Sequence, residues 1–333
     1  MAERAGVDRA LVSRVVNEDP RLRIRDETRR RIVDAVAELG YTPSRTARNL
    51  RLSRTGSVGL VVPELTNPVW AALTEAMEGA ADSLGLTVLV ASESSRPGRT
   101  DHFVRLLDEQ FLDGLLLAAP VDATEAARIS DRNVVFVNQV HEPPARSVVF
   151  DDGLAIRMAV DALVELGHID IAHIGGPRER DATRRRAQAF SEAVERLGLP
   201  LHPIVIGPLS IDGGVHSVDQ VLDEHSRVTA VVVANVRSAV GVLRRCAQRG
   251  VTVPDELSVV CVHDNEVAQV VSPPLTAVAM PVHSLGERAL QALVGLDSAR
   301  QPVIVRDGIA VTERGSSGPP RAGPPRAGPH RGG

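Results

Sequence analysis

The chain has 333 residues, enough for two or three domains, and its 43% hydrophobic and 24% charged residues exclude a disordered polymer. No apolar run approaches the roughly 18 residues a membrane span requires, and the two cysteines, Cys246 and Cys261, have no CxxC spacing, which argues against a disulfide scaffold and a cysteine zinc site; no cofactor is expected. The net charge of −4 hides an asymmetry: residues 1–57 carry 13 arginines against 8 acids, residues 58–314 carry 22 arginines against 34 acids, and lysine is absent. A small basic head on an acidic body suits contact with a polyanion through the head alone. The opening residues, Met1-Ala-Glu-Arg4, do not read as a secretory leader, so a cytoplasmic protein is expected.

In chain order, the first 57 residues read as short helices. Asp8 can cap a helix running through Asn17, and Asp26 can cap a longer one ending at Gly40 with Ile32, Val33, Val36 and Leu39 at helical spacing. Ser44, after Pro43, can cap a third through about Leu52. Short aliphatic runs follow at 59–62, 87–91, 115–118 and 134–137, and a second set at 171–174, 203–206, 230–234 and 257–262. Their continuity suits strands buried on both faces. Helical segments at 67–84, 98–110, 153–166, 182–197, 211–224 and 235–249 lie between most of them. This alternation predicts an α/β protein whose body consists of two doubly wound parallel-sheet subdomains, with a ligand site at the carboxyl ends of the strands. Residues 315–333 repeat Pro-Pro-Arg-Ala-Gly and are expected to be a disordered tail.

Ala2–Asn17 has the order of a helix-turn-helix, with Gly6 at the turn and Asp8 capping the second helix. That helix presents Arg9, Ser13 and Arg14, whose guanidinium forks suit guanine edges and phosphates. The stretch strongly resembles the head of the lactose-repressor/galactose-repressor (LacI/GalR) family of bacterial transcription regulators, A-x-x-A-G-V-S-x-x-T-V-S-R-V-L-N. The resemblance runs on through Thr28-Arg29, Gly40-Tyr41-Thr42-Pro43 and Ser44–Leu50, then covers 57–313. It implies a helix-turn-helix head at 1–43, with a first helix that looks truncated, and a hinge helix and linker at 44–56. An effector-binding and dimerisation body of periplasmic-binding-protein type then spans 57–314.

The resemblance assigns DNA contacts to Arg9, Ala10, Leu11, Ser13, Arg14, Asn17, Thr28, Tyr41, Ser44, Arg45, Ala47 and Arg48, and a minor-groove wedge to Leu50. In the body, Val62-Pro-Glu-Leu-Thr-Asn-Pro-Val-Trp70 resembles the family segment that opens the first helix at the cleft. Asn67 caps that helix, while Trp70 either stacks on a ligand ring or packs internally. The family's ligand-clamping arginine falls on Arg186; Asn138, Phe150 and Asn235 fall on other cleft positions. His263 stands where relatives place a carboxylate, which favours an anionic or acceptor-rich effector whose affinity falls as pH rises through the imidazole titration near about 6.5. A histidine retained after drift is the alternative, so a sugar, a nucleobase and a small anion all stay open.

The function implied is a transcriptional regulator, a repressor, that binds a near-palindromic operator as a homodimer under control of a small-molecule effector. The alternative is a solute-binding protein of the same body fold without regulatory DNA binding. There is no G-x-S-x-G, P-loop, metal-ligand cluster or paired acid–base motif, so no catalytic residue is assigned and an enzyme is not expected.

Overall fold

The computed structural model describes residues 2–16, 22–39, 54–142, 144–200, 204–295 and 301–321. Contacts divide the chain into two compact units, Met1–Gly56 and Ser57–Gly333.

In the first unit, α1 (Ala2–Ala5), α2 (Arg9–Val16) and α3 (Asp26–Glu38) enclose a small core of Ala5, Val12, Val15, Leu22, Ile32 and Ala35. Gly6 takes φ +64°, a left-handed turn that a side chain would strain, and Asp8 accepts the Leu11 N–H at 2.7 Å to start α2. The longer helix starts differently from expectation. Arg25 is its cap residue and makes no side-chain cap bond; Asp26 lies inside the first turn, where its charge complements the helix dipole.

The second unit contains two six-stranded sheets. One has the order β11-β5-β4-β3-β1-β2, with β1 (Ser57–Val62), β2 (Thr87–Ser92), β3 (Gly114–Leu117), β4 (Val134–Val137), β5 (Ser147–Phe150) and β11 (Val303–Val305) all parallel. The other has the order β12-β10-β9-β8-β6-β7, with β6 (Ile171–Gly175), β7 (Ile204–Ile206), β8 (Ala230–Val233), β9 (Ser258–Val262), β10 (Thr276–Ala279) and β12 (Ala310–Thr312). Here β12 runs antiparallel to β10, the one departure from the all-parallel expectation.

The apolar runs are continuous because helices cover both faces. Leu60 and Leu116 face α4 (Pro68–Ser83) and α12 (Val282–Leu293), while Val61, Leu115 and Leu117 face α5 (Arg99–Asp108) and α6 (Ala123–Ile129). In the second sheet, Ile171, Val232 and Val260 face α7 (Asp152–Glu165) and α8 (Asp181–Arg196). Ile174, Val231 and Val259 face α9 (Ile211–Glu224) and α10 (Val236–Arg249). Each such buried aliphatic contributes about 1.5–3 kcal/mol. Strands β5, β10, β11 and β12 and helices α6, α11 (Glu266–Val270) and α12 lie outside the elements read from periodicity.

Helices α9 and α10 approach so closely that a Cβ on Gly214 would overlap the Ser238 carbonyl, and one on Gly241 the Ile211 carbonyl. The expected disordered tail fails at its start. Ser316 is fully buried: its Oγ accepts the Thr276 N–H at 2.8 Å and donates to the Val259 carbonyl at 2.6 Å, and its own carbonyl accepts the Val259 N–H at 2.7 Å. Gly318 donates its N–H to Ser258 Oγ, and its carbonyl meets His168 Nε2 at 2.9 Å. A Pro/Gly/Ser composition cannot build its own core, but here it satisfies polar groups that the sheet leaves open.

Candidate functional site

Strands β1, β3, β4, β8 and β9 end at one cavity of 560 Å³, whose walls come from both subdomains. Six of the seven body residues singled out from sequence line it: Asn67, Trp70, Asn138, Arg186, Asn235 and His263. Phe150 does not. It is buried in β5 behind His263, with the two rings edge-to-face at 5.5 Å, so it supports the wall instead of forming it.

Local structure explains several positions. Asn67 Oδ1 accepts the Val69 N–H at 3.1 Å, with Pro68 at the first helical position of α4. Asn235 caps α10 by accepting the Ser238 N–H at 2.7 Å and donates to the Leu209 carbonyl. Asn138 and His263, each directly after a strand, take φ +57° and +70°. A left-handed conformation in non-glycine residues costs energy, and both instances lie on the cavity wall.

The centre is a saturated arginine. Arg186 is 4% exposed and donates to Asp152 Oδ1 at 2.6 Å, to the Ala234 carbonyl at 2.6 Å and to His263 Nε2 at 3.1 Å. Asp152 is fully buried and also meets Arg185 at 2.5 Å. Because Nε2 accepts, the imidazole is the neutral tautomer with its proton on Nδ1. Burial, reinforced by the Arg186 charge, holds the His263 pKa well below its ordinary value. The expected titration near neutral pH is therefore overturned: a cation beside a desolvated ring opposes its protonation.

Contacts across the cleft flank the cavity. Arg237 of α10 pairs with Glu64 after β1 at 2.6 Å, Asp181 accepts the Val140 N–H at 3.0 Å, and Arg185 of α8 donates to Asn138 Oδ1 at 3.3 Å and to the Phe150 carbonyl. Sequence reading missed Gln139, His141, Thr183 and Arg184 on the walls and Asp152 beneath them. His141 stacks obliquely on Phe136 with its Nε2 buried and unpartnered, and burial lowers its pKa. The run Arg184-Arg185-Arg186 was the available signal: three consecutive helical residues point in different directions, so one of them had to turn towards the core and find a carboxylate there.

In the first unit, Arg9, Ala10, Ser13 and Arg14 are exposed along α2, whereas Leu11 and Thr28 are half-buried, Leu11 against the small core. Asn17, Tyr41, Ser44, Arg45, Ala47, Arg48 and Leu50 lie outside the described residues.

Residues 1–44 match the model for bacterial regulatory proteins, lacI family, and residues 160–317 match that for a periplasmic binding protein-like domain. The HTH-type transcriptional regulator DegA of Bacillus subtilis is 30% identical over 295 residues, covering 86% of this chain and 87% of DegA. The ribose operon repressor of Escherichia coli is 28% identical, covering 95% and 98%. The chain belongs to the lacI family of bacterial regulatory proteins. The lac repressor dimer bound to operator and the anti-inducer ONPF shares the fold with a TM-score of 0.81 at 28% identity, over 95% of this chain and 97% of that one. The regulator is accordingly a DNA-binding transcription factor with a helix-turn-helix head and a periplasmic-binding-type body. The matched head removes the alternative of a solute-binding protein without DNA binding. No described helix is long and apolar enough to cross a membrane.

Proposed function

We propose that this regulator binds a near-palindromic operator as a homodimer in the cytoplasm, represses transcription there without catalysing a reaction, and responds to a small neutral effector held in the cleft. In this reading the exposed face of α2, with Arg9, Ala10, Ser13 and Arg14, enters the major groove. Leu11, Asn17, Thr28, Tyr41, Ser44, Arg45, Ala47 and Arg48 complete the DNA contacts, and Leu50 wedges into the minor groove. Residues 1–43 form the head, 44–56 the hinge, and 57–314 the body.

One observation carries the effector reading: a 560 Å³ cavity at the strand ends has walls from both subdomains, beside the Glu64–Arg237 and Asp181–Val140 contacts. A rotation of one subdomain against the other breaks those contacts, so a ligand touching both walls biases the angle between them. The charge balance supports a neutral ligand. Arg186 is compensated by Asp152, His263 is uncharged, Arg184 pairs with Asp181 and Glu64 with Arg237, and the remaining charged wall residues are Arg180 against the acids Asp122, Glu142 and Glu179. Trp70 supplies an aromatic surface for a ring. These features favour a sugar or another polyhydroxylated ring over a small anion.

The DNA arm is tested by fluorescence anisotropy on duplexes from upstream of the protein's own gene. The full chain binds one duplex selectively, and a fragment comprising 57–333 does not. Sequence-selective binding by that fragment overturns the assignment. The effector arm is tested calorimetrically with neutral sugars and their phosphate esters, of which only the neutral series is expected to bind.

A further inference from the structure

A further cavity follows β2 and shares no lining residue with the cleft cavity described above. Its volume is 300 Å³, and Arg96, Pro97, Gly98, Arg99, His102 and Arg105 line it. Pro97 and Gly98, the latter at φ +85°, turn the chain into α5, so Arg96 lies on the same cavity as the first two turns of that helix. Arg99, His102 and Arg105 recur every three residues, which sets successive members side by side over a length of about 9 Å. Arg99 and His102 are half-buried, while Arg96 and Arg105 are exposed.

The carboxylates of this region are committed elsewhere. Glu93 accepts the N–H groups of Gly98 at 2.6 Å and Thr100 at 2.9 Å, and the Thr100 hydroxyl at 3.0 Å, so amides that open α5 are already engaged. Asp101 pairs with Arg128 of α6 at 2.9 Å, and Asp108 with Arg132 at 2.6 Å. Among the described residues, neither His102 nor any of the three arginines on the cavity has a carboxylate partner. Guanidinium groups gathered without an acid repel one another, and an anion that bridges them removes that repulsion while filling their hydrogen bonds.

The arrangement also selects the anion. A cavity of this size suits a small molecule, and the donor strip is too long for one phosphate to reach all of it. Two linked phosphates present acceptor oxygens along it. Residues 58–314 carry 34 acids against 22 arginines, which opposes a nucleic-acid strand laid across the body but not a compact anion held at one point.

We infer that this cavity is a second ligand site, separate from the cleft, and that it takes a small molecule bearing a diphosphate group. Arg96, Arg99 and Arg105 hold the phosphate oxygens, and His102 donates from a ring nitrogen. Because the site lies outside the cleft, the inference stands whatever the cleft binds.

The test uses the full-length protein without magnesium at an ionic strength of about 0.15 M, which screens weak surface attraction. Pyrophosphate, ADP, AMP and inorganic phosphate are titrated calorimetrically. Pyrophosphate and ADP are expected to bind saturably, one per chain, and AMP and phosphate at least about tenfold more weakly. Hydrogen exchange over 93–108 is expected to slow with pyrophosphate, and exchange over 211–224 to stay unchanged. ADP binding more than about tenfold above pyrophosphate identifies a nucleotide as the ligand; equal affinities identify the diphosphate group alone.

Arg99→Gln and Arg105→Gln are each expected to weaken pyrophosphate about tenfold and together to abolish the exchange effect, with the thermal melt unchanged. Arg244→Gln, which removes one exposed charge from α10, is expected to leave the affinity as it was. Absence of saturable diphosphate binding overturns the inference. So does binding that survives the double substitution, which assigns the heat to the basic head. If the double variant instead loses affinity for duplex DNA while pyrophosphate gives no heat, the cluster contacts nucleic acid and the diphosphate site falls.

Discussion

Arg186 shows how much of the cleft depends on single charges. Its guanidinium is buried, and Asp152 is its compensating carboxylate. Asp152→Ala strands a desolvated cation, and urea denaturation at neutral pH should show a loss of about 3–5 kcal/mol. Arg237→Ala removes a pair whose side chains remain 29% and 27% exposed, so the expected stability loss is below about 1 kcal/mol.

The histidines give a pH response different from the first expectation. Because burial, reinforced by the Arg186 charge, keeps His263 neutral, effector affinity should be flat from pH 8 to about 6. A fall of affinity in calorimetry as pH rises from 6 to 8 would return the imidazolium to the site. Folding stability does depend on histidine. His173 stacks on Phe190, donates from Nδ1 to the Val232 carbonyl, and burial lowers its pKa to about 4. The unfolded chain takes up that proton first, near about pH 6.5, so stability is intact above that value and erodes as pH falls towards 4. For this fully buried group the loss amounts to about 3 kcal/mol. His141 and His168 are lowered by burial too and act in the same direction. Thermal melts between pH 7 and 4 should therefore slope less steeply for His173→Leu than for the unmodified protein.

Among the elements, the segment after β12 carries the clearest consequence. Ser316 closes bonds with Thr276 on β10 and Val259 on β9, so Ser316→Ala leaves a buried N–H and a buried carbonyl short of a side-chain partner. The expected cost is about 1–3 kcal/mol in chemical denaturation. An unchanged midpoint would mean that the segment contributes nothing to the sheet edge. His168 explains why a segment so rich in Gly, Pro and Ser is held at all: its ring meets Thr229, Ser258 and the Gly318 carbonyl together, which joins β9 to the segment after β12.

At the scale of the whole molecule, a basic head and an acidic body divide the labour between polyanion and small ligand. DNA affinity should fall steeply with salt, and truncating Arg48, a proposed DNA contact, or Arg51, three residues further along the hinge segment, should lower the log–log slope by about 1 for every sequence alike. Truncating Arg9 or Arg14 should instead cost about 1–3 kcal/mol and relax one operator position. Four identical salt titrations would remove the distinction between base-reading and phosphate-binding arginines.

By itself the sequence determined what local patterns can encode. The turn at Gly6, the cap at Asp8, the cap at Asn67 and most of the two-face strands follow from residue type and spacing within a few positions. The resemblance to the lactose-repressor/galactose-repressor family singled out seven body residues, six of which line one cavity at the strand ends. Tertiary structure alone decided the rest. Strands β11 and β12 return to different sheets, and α12 packs on the first sheet after β10 has completed its place in the second. Short segments of three or four residues carry too little periodicity to announce such pairings. The partners of Arg186 lie 34 residues before it and 48 and 77 residues after it, and only their convergence fixes the charge of the cleft. A histidine in that place reads as a cation from sequence; beside a buried arginine, with water excluded, it must be neutral.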